Sequence, residues 1–147
     1  MDTKRLVIGT IVGGIALHVV GYLIFDLAVW NFYLANAGPA TGAFRDANLQ
    51  WAIALGNLSL AALATLGVAS RAGAPTIGGG FTAGAVIGFL VWFGLDFILY
   101  GFTNLWNLTV VIVDPLLSAI QYGVAGAVIA AVLGRMAKPG LREQRQA

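Results

Sequence analysis

The sequence predicts an all-α polytopic membrane protein, a bundle of four transmembrane helices with both termini in the cytoplasm. Of its 147 residues, 59% are hydrophobic and only 10% are charged, whereas a soluble domain carries about 25% charged residues. Four apolar segments reach the length of about 20 residues that a spanning helix needs. Lysine and arginine also cluster on one side of these segments, as they do on the cytoplasmic side of membrane proteins.

The predicted helices span residues 6–31, 50–69, 77–102 and 108–133 of a single integral membrane domain, 1–147, with a polar, basic tail at 135–147. None has a proline near its centre, so each is predicted to be largely unbroken. The first apolar run, residues 6–33, is much longer than the roughly 7–15 apolar residues of a signal peptide. It is therefore interpreted as an uncleaved spanning helix.

The orientation follows from the basic residues in the short segments beside the helices. One side carries all but one of them: Lys4, Arg5, Arg71, Arg135, Lys138, Arg142 and Arg145. Only Arg45 falls on the other side. The positive-inside rule therefore predicts cytoplasmic N and C termini.

The composition also excludes several classes of function. With no cysteine, the chain has no disulfide, thiol nucleophile or cysteine-based metal site. The single histidine, His18, cannot form a multi-histidine site. Because the basic residues mark topology, no nucleic-acid binding is expected. The sequence identifies neither a cofactor nor a metal.

The polar residues within the predicted helices fall at two depths. Asp26, Asn57, Asp96 and Asp114 lie in the outer part of the bundle when residues are counted from the cytoplasmic ends. His18 and Gln121 lie deeper, near the midplane. Ionisable groups at such positions are costly and usually functional.

Each predicted helix carries its polar residues along one line, because residues four or seven apart share a face. The lines are His18–Tyr22–Asp26, Gln50–Asn57, Trp92–Asp96–Tyr100 and Asn107–Asp114–Gln121. If all four turn inward, they form an outward-facing polar cavity with an aromatic lid. The expected ligand-binding residues are Asp26, Asn57, Asp96, Tyr100, Asp114, Gln121, Trp30, Trp92 and Trp106, with His18 as a proton relay.

Each polar group also has a purely structural interpretation. The aromatic residues near the outer face, Trp30, Tyr33, Trp51, Tyr100 and Trp106, are typical of a belt at the lipid headgroups. Asp26 and Asp96 could contact headgroup water, and Asp114 could cap a helix that starts at Pro115. Asn57 and Gln121 could join helices by hydrogen bonds, and His18 could be a core residue.

Small residues recur every four positions, a spacing typical of close helix packing. Gly80, Gly84 and Gly88 do so in the third helix, and Gly9 and Gly13 in the first. The fourth helix has Gly126, Ala130 and Gly134. A homo-oligomer formed through Gly80, Gly84 and Gly88 is one expected use of such a face.

The segment from Gly84 to Gly134 resembles a bacterial family of small four-helix membrane proteins, the domain of unknown function 1761. The resemblance rests on a glycine-containing third helix, a Thr103–Asn104 turn followed by an aromatic residue, Asp114 early in the last helix, and the run GVAGAVIAAVLG. It implies a four-helix fold in the bacterial cytoplasmic (inner) membrane but no activity. The family tends to have a tyrosine or histidine soon after that aspartate, where this chain has Leu116 and Leu117.

Three classes of function fit the predicted architecture. The leading one is a non-enzymatic membrane protein that binds a cation or a small polar or amphipathic ligand in the outward-facing cavity, and that works as a proton-coupled transporter if His18 lies beneath the carboxylates. The second is a structural or accessory subunit of a larger membrane complex that binds lipid or pigment. The third is an intramembrane enzyme with Asp96 and Asp114 as an acid–base pair, disfavoured because no nucleophile motif is present.

Overall fold

The computed structural model describes residues 2–43, 45, 47–70 and 75–137. Within these ranges the chain is helical: α1 (Thr3–Gly21), a π-helical segment (Tyr22–Ala28), α2 (Trp30–Ala35), α3 (Gln50–Ala69), α4 (Ile77–Phe102) and α5 (Leu108–Ala137). No extended strand occurs in the described residues, apart from an isolated bridge between Ala37 and Trp106. The predicted all-α class is confirmed, and four helices are long and apolar enough to cross a membrane.

The helix bounds agree with the sequence for α3 and α4 and differ at the two ends of the chain. The last helix runs to Ala137, past the expected end at residue 133 and into the predicted tail. Residues 138–147 of that tail lie outside the described residues, as does Arg71. The helix passes without a break through Pro115, so Asp114 is an interior residue and the interpretation of Asp114 as a helix cap is wrong.

The cap of α5 is Asn107. Its side-chain Oδ1 accepts hydrogen bonds from the backbone N–H groups of Thr109 at 3.0 Å and Val110 at 3.3 Å. This is the usual role of asparagine at a helix N-terminus, where the first N–H groups lack helical partners. The residue therefore places the start of α5 at Leu108, six positions before Asp114.

The first predicted helix is continuous from Thr3 to Ala28 but is not α-helical throughout. The α-helix becomes a π-helix at Tyr22, where Val29 N–H donates to the carbonyl of Ile24 at 2.9 Å, and Val29 leaves the helical conformation before α2 begins. No proline causes the change. Such π segments are rare and frequently occur at functional sites, and this one contains Asp26.

Helices α4 and α5 are packed with their backbones in direct contact. A Cβ atom added to Gly80 would overlap the carbonyl oxygen of Gly126, and one added to Gly84 would overlap that of Tyr122. A Cβ atom added to Gly88 would lie 2.6 Å from the carbonyl oxygen of Ser118. The glycine face expected to join two copies is thus covered by α5 within one chain. Association of copies stays a prediction, and it would need another surface.

The remaining contacts join α1 to α3 and α5 through small residues. A Cβ atom added to Gly13 would lie 2.6 Å from Ile129, and one added to Gly14 would lie 2.8 Å from Leu58. Next to these contacts, Leu17 and Tyr122 are fully buried together with alanines of α3 and α5. This core forms the floor of the site described below.

The chain that follows α2 and the turn between α4 and α5 are tied together by backbone hydrogen bonds. Gly38 N–H donates to the carbonyl of Leu105 at 2.8 Å, and Asn107 N–H donates to the carbonyl of Asn36 at 3.1 Å. The side chains of Asn107 and Asn36 are joined as well, at 3.0 Å. The chain after α2 is therefore fixed against the α4–α5 turn, which holds α2 above the bundle.

Candidate functional site

A cavity of about 340 Å³ lies between α1, the π segment, α3 and α5, with Trp92 of α4 in one wall. Six of the predicted site residues line it: His18, Asp26, Asn57, Trp92, Asp114 and Gln121. The lining residues Tyr22, Asp26, Gln50 and Ile53 are exposed. Since these four belong to the π segment and α3, the cavity opens between those two elements.

The deeper polar residues of the cavity are held by hydrogen bonds between helices. Gln121 Nε2 donates to the carbonyl of Leu17 at 2.8 Å, which ties α5 to α1. Nδ2 of Asn57 lies 3.3 Å from Nδ1 of His18, which ties α3 to α1. Because an amide nitrogen donates, Nδ1 of His18 accepts and the ring hydrogen belongs on Nε2. Asn57 and Gln121 thus join helices by hydrogen bonds, as one interpretation of the sequence expected. Both side chains also face the cavity.

Aromatic side chains form much of the wall. Trp92 Nε1 donates to the hydroxyl of Tyr122 at 3.3 Å, which joins α4 to α5 beside the cavity. Phe25 and Tyr22 of the π segment complete the aromatic lining. Tyr122 and Phe25 were not among the predicted site residues; both are aromatic residues in apolar runs, where nothing in the sequence separates wall from core.

Asp114 is the polar centre of the site. Its Oδ1 accepts a hydrogen bond from the hydroxyl of Tyr33, and its Oδ2 accepts one from Ser118 Oγ at 3.4 Å. The carboxyl group of Asp96 lies within hydrogen-bonding reach of the same side chain. The two aspartates that the sequence placed at one depth are therefore in contact.

Tyr33, which the sequence pattern favoured as part of the lipid belt, is instead a buried partner of Asp114. It is 6% exposed and packs edge-on against Trp106 at 5.2 Å between ring centroids. Burial, followed by the hydrogen bond to Asp114, raises the pKa of Tyr33 far above its usual range. Its hydroxyl therefore keeps its hydrogen and remains a donor to Asp114.

The other predicted site residues lie outside this group. Asp26 is exposed at the mouth of the cavity, where Nδ2 of Asn48 donates to it at 3.4 Å. Trp30 and Tyr100 are about 40% exposed, and neither they nor Trp106, which packs against Tyr33, line the cavity. Asp26 shares the cavity with Asp114 but lies at its mouth.

The described residues contain no group of three or more His, Asp or Glu side chains placed to hold a metal ion. Compared with protein-family models, curated proteins and solved structures, the chain matches none of them. The resemblance to the family of unknown function therefore stays a prediction from the sequence.

Proposed function

We propose that the chain is a multi-pass protein of the bacterial cytoplasmic membrane with both termini in the cytoplasm. Four apolar helices of sufficient length support this proposal. So does the exposed stripe on α1, where Val7, Ile11, Ile15 and Val19 follow each other every four residues. An exposed apolar face of this length is favourable in lipid and unfavourable in water.

The topology can be tested by cysteine labelling, because the chain has no cysteine of its own. Asn104→Cys places a thiol in the exposed α4–α5 turn, and Ser70→Cys places one in the exposed end of α3 on the opposite side. A membrane-impermeant maleimide applied to intact spheroplasts is expected to label the first variant only. Labelling of Ser70→Cys alone would reverse the orientation.

We further propose that the protein is not an enzyme and that its cavity binds a small amphipathic organic cation. One observation carries this proposal: among the described residues, the lining of the cavity includes the carboxylates of Asp26 and Asp114 but no lysine or arginine. A site with that charge attracts cations and excludes anions. The absence of a three-ligand metal cluster in the described residues favours an organic cation over a metal ion.

The walls suit the apolar part of such a ligand. The volume of about 340 Å³ lies at the lower end of the range of known small-molecule sites. Trp92, Tyr122 and Phe25 offer ring faces, which attract cations such as quaternary ammonium groups. The amides of Asn57 and Gln121 add a few polar contacts, so the lining combines apolar walls with sparse polar groups, as in most ligand sites.

The test is a binding measurement on the purified protein in a non-ionic detergent. Benzyltrimethylammonium and benzenesulfonate carry the same ring with opposite charges, and isothermal titration calorimetry compares them directly. We expect binding of the cation only, weakened at least tenfold in Asp114→Asn. The matched control is Asp2→Asn, which removes an exposed carboxylate at the N-cap of α1. Equal binding of both probes, or equal affinity of Asp114→Asn and the wild type, would overturn the proposal.

A further inference from the structure

The carboxyl groups of Asp96 and Asp114 could both act only as hydrogen-bond acceptors if both were ionised. Two ionised carboxylates have no hydrogen to share and repel each other strongly within hydrogen-bonding reach. The side chain of Asp96 is only 7% exposed. Its buried Oδ2 meets no hydrogen-bond donor among the described residues. A buried carboxylate oxygen without a donor is costly, and a proton held by the pair removes both penalties.

The donors around the pair indicate which carboxyl group is charged. Asp114 accepts hydrogen bonds from Tyr33 on one oxygen and from Ser118 on the other. Hydrogen bonds of this kind stabilise an ionised carboxylate. Since both donors serve Asp114, the negative charge belongs there and the proton belongs on Asp96.

Among the described residues, the other ionisable groups that line the cavity with Asp114 include no lysine or arginine. Tyr33 of α2 and Tyr122 of α5 face Asp114, and His18 of α1 and Asp26 of the π segment line the cavity with it. Within the described residues, the hydrogen bond of His18 is to Asn57 and not to either carboxyl group. A cation in the cavity would therefore be the nearest positive charge that Asp114 meets.

We propose that the Asp96–Asp114 pair holds one proton while the cavity is empty and releases it when an organic cation binds. This inference rests on the proposed function of the cavity and specifies how binding is regulated. The exchange is balanced: the O–H bond of one carboxyl group breaks, the proton goes to water, and one positive charge enters as another leaves. The pair together with its ligand carries one net negative charge after binding, as the pair alone does before it.

The position of the two groups suits this exchange. Asp114 lines the cavity and can meet the cation, whereas Asp96 lies behind it and is not part of the lining. A cation beside Asp114 lowers the cost of a second negative charge on Asp96. The affinity should therefore rise with pH, because the cation and the proton compete for the same pair.

The experiment measures proton release in the full-length protein in detergent. Benzyltrimethylammonium is titrated calorimetrically in phosphate and in Tris, whose different protonation enthalpies reveal the number of protons released, at intervals from about pH 5.5 to 8.5. The wild type should release close to one proton at its most strongly linked pH. At pH values below the pKa of the pair, the affinity of the wild type for benzyltrimethylammonium should fall tenfold for each unit by which the pH is lowered.

Asp96→Asn is the decisive variant. Its amide can donate to Asp114 without a releasable proton, so binding should stay within about threefold of the wild-type value at high pH while proton release and the pH dependence disappear. Asp2→Asn is the matched control, because it removes an exposed carboxylate at the N-cap of α1 and leaves the cavity and the pair intact. It should leave proton release unchanged.

The wild type also provides a measurement that does not depend on a variant folding correctly. The infrared carbonyl stretch of a protonated carboxylic acid should be present in the empty protein and should vanish when benzyltrimethylammonium is added. Absence of binding by the wild type would refute the proposed function. Binding with a pH-independent affinity and no proton release, or release that persists in Asp96→Asn, would refute the exchange and leave the cation site intact.

Discussion

Replacing Gly84 by alanine tests the close packing of α4 on α5, which holds the two aspartates together. The new Cβ would overlap the carbonyl oxygen of Tyr122 and lie 3.2 Å from the Cα of Gly126. Both neighbours are backbone atoms, so the helices themselves must separate. Overpacking of this kind costs about 1–3 kcal/mol. The substitution also gains about 1 kcal/mol of intrinsic helix propensity, which has to be subtracted experimentally.

Gly94→Ala supplies that subtraction. Gly94 lies in the same helix, and a Cβ added there meets no atom within 4 Å. Both variants share the gain in helix propensity, so the difference between them isolates the clash.

The stability is measured by unfolding the two variants in mixed micelles with increasing dodecyl sulfate, followed by circular dichroism. We expect Gly84→Ala to be less stable than Gly94→Ala by about 1–3 kcal/mol. Equal stability would show that α4 and α5 do not approach each other as described.

Three further predictions concern single hydrogen bonds. Tyr33→Phe removes a donor from Asp114 and should cost about 1–3 kcal/mol in the same unfolding assay, whereas Tyr100→Phe, at an exposed position, should cost nothing measurable. Gln121→Met keeps the length of the side chain but loses the bond to Leu17, for about 0.5–1.5 kcal/mol. Finally, the raised pKa of Tyr33 means that the wild type and Tyr33→Phe should show the same tyrosinate absorbance at about pH 11 while folded, and differ by one tyrosine once unfolded. Because the folded state favours the neutral hydroxyl, this contribution to stability is complete below about pH 10 and decreases above it.

Hydropathy was sufficient to place most of the helices. α3 and α4 begin and end at the predicted residues, and α5 begins at Leu108 as expected. The end of α5 was predicted too early because the apolar run stops before Arg135, although an exposed arginine in the last turn is favourable at a helix C-terminus. Hydropathy identifies the part of a helix that suits lipid, and a helix can continue beyond it.

The π segment could not be foreseen by the same means. Its sequence, YLIFDLA, contains no proline or glycine, and its hydropathy is that of an ordinary spanning helix. The tertiary contacts of the following residues explain why the chain departs from α-helix there: α2 is fixed by Tyr33 on Asp114 and by Asn36 on Asn107. These contacts are between residues more than 70 positions apart, so a local pattern does not reveal them.

Tyr33 shows what cannot be predicted by counting residues from the helix ends to estimate depth in the membrane. The count correctly grouped Asp96 with Asp114, because a spanning helix rises regularly and two antiparallel helices can be compared residue by residue. It could not distinguish Tyr33 from Trp30, three residues earlier, since both lie at the outer face. Tyr33 donates to the half-buried carboxylate of Asp114, whereas Trp30 is 40% exposed. Only the direction in which α2 leaves the bundle decides between them.

The register that joins the two aspartates follows from the glycines of α4. Gly80, Gly84 and Gly88 meet successive turns of α5 at Gly126, Tyr122 and Ser118.

One more step of four residues along both helices brings Trp92 opposite Asp114, and Asp96 lies one turn beyond. The carboxyl pair is therefore a consequence of the glycine packing, and Gly88 is the last glycine before it. A Cβ at Gly88 would lie 2.6 Å from the carbonyl oxygen of Ser118, which would push the helices apart beside the pair. Gly88→Ala should consequently weaken proton release on cation binding, and full release in that variant would mean that the pair does not depend on this register.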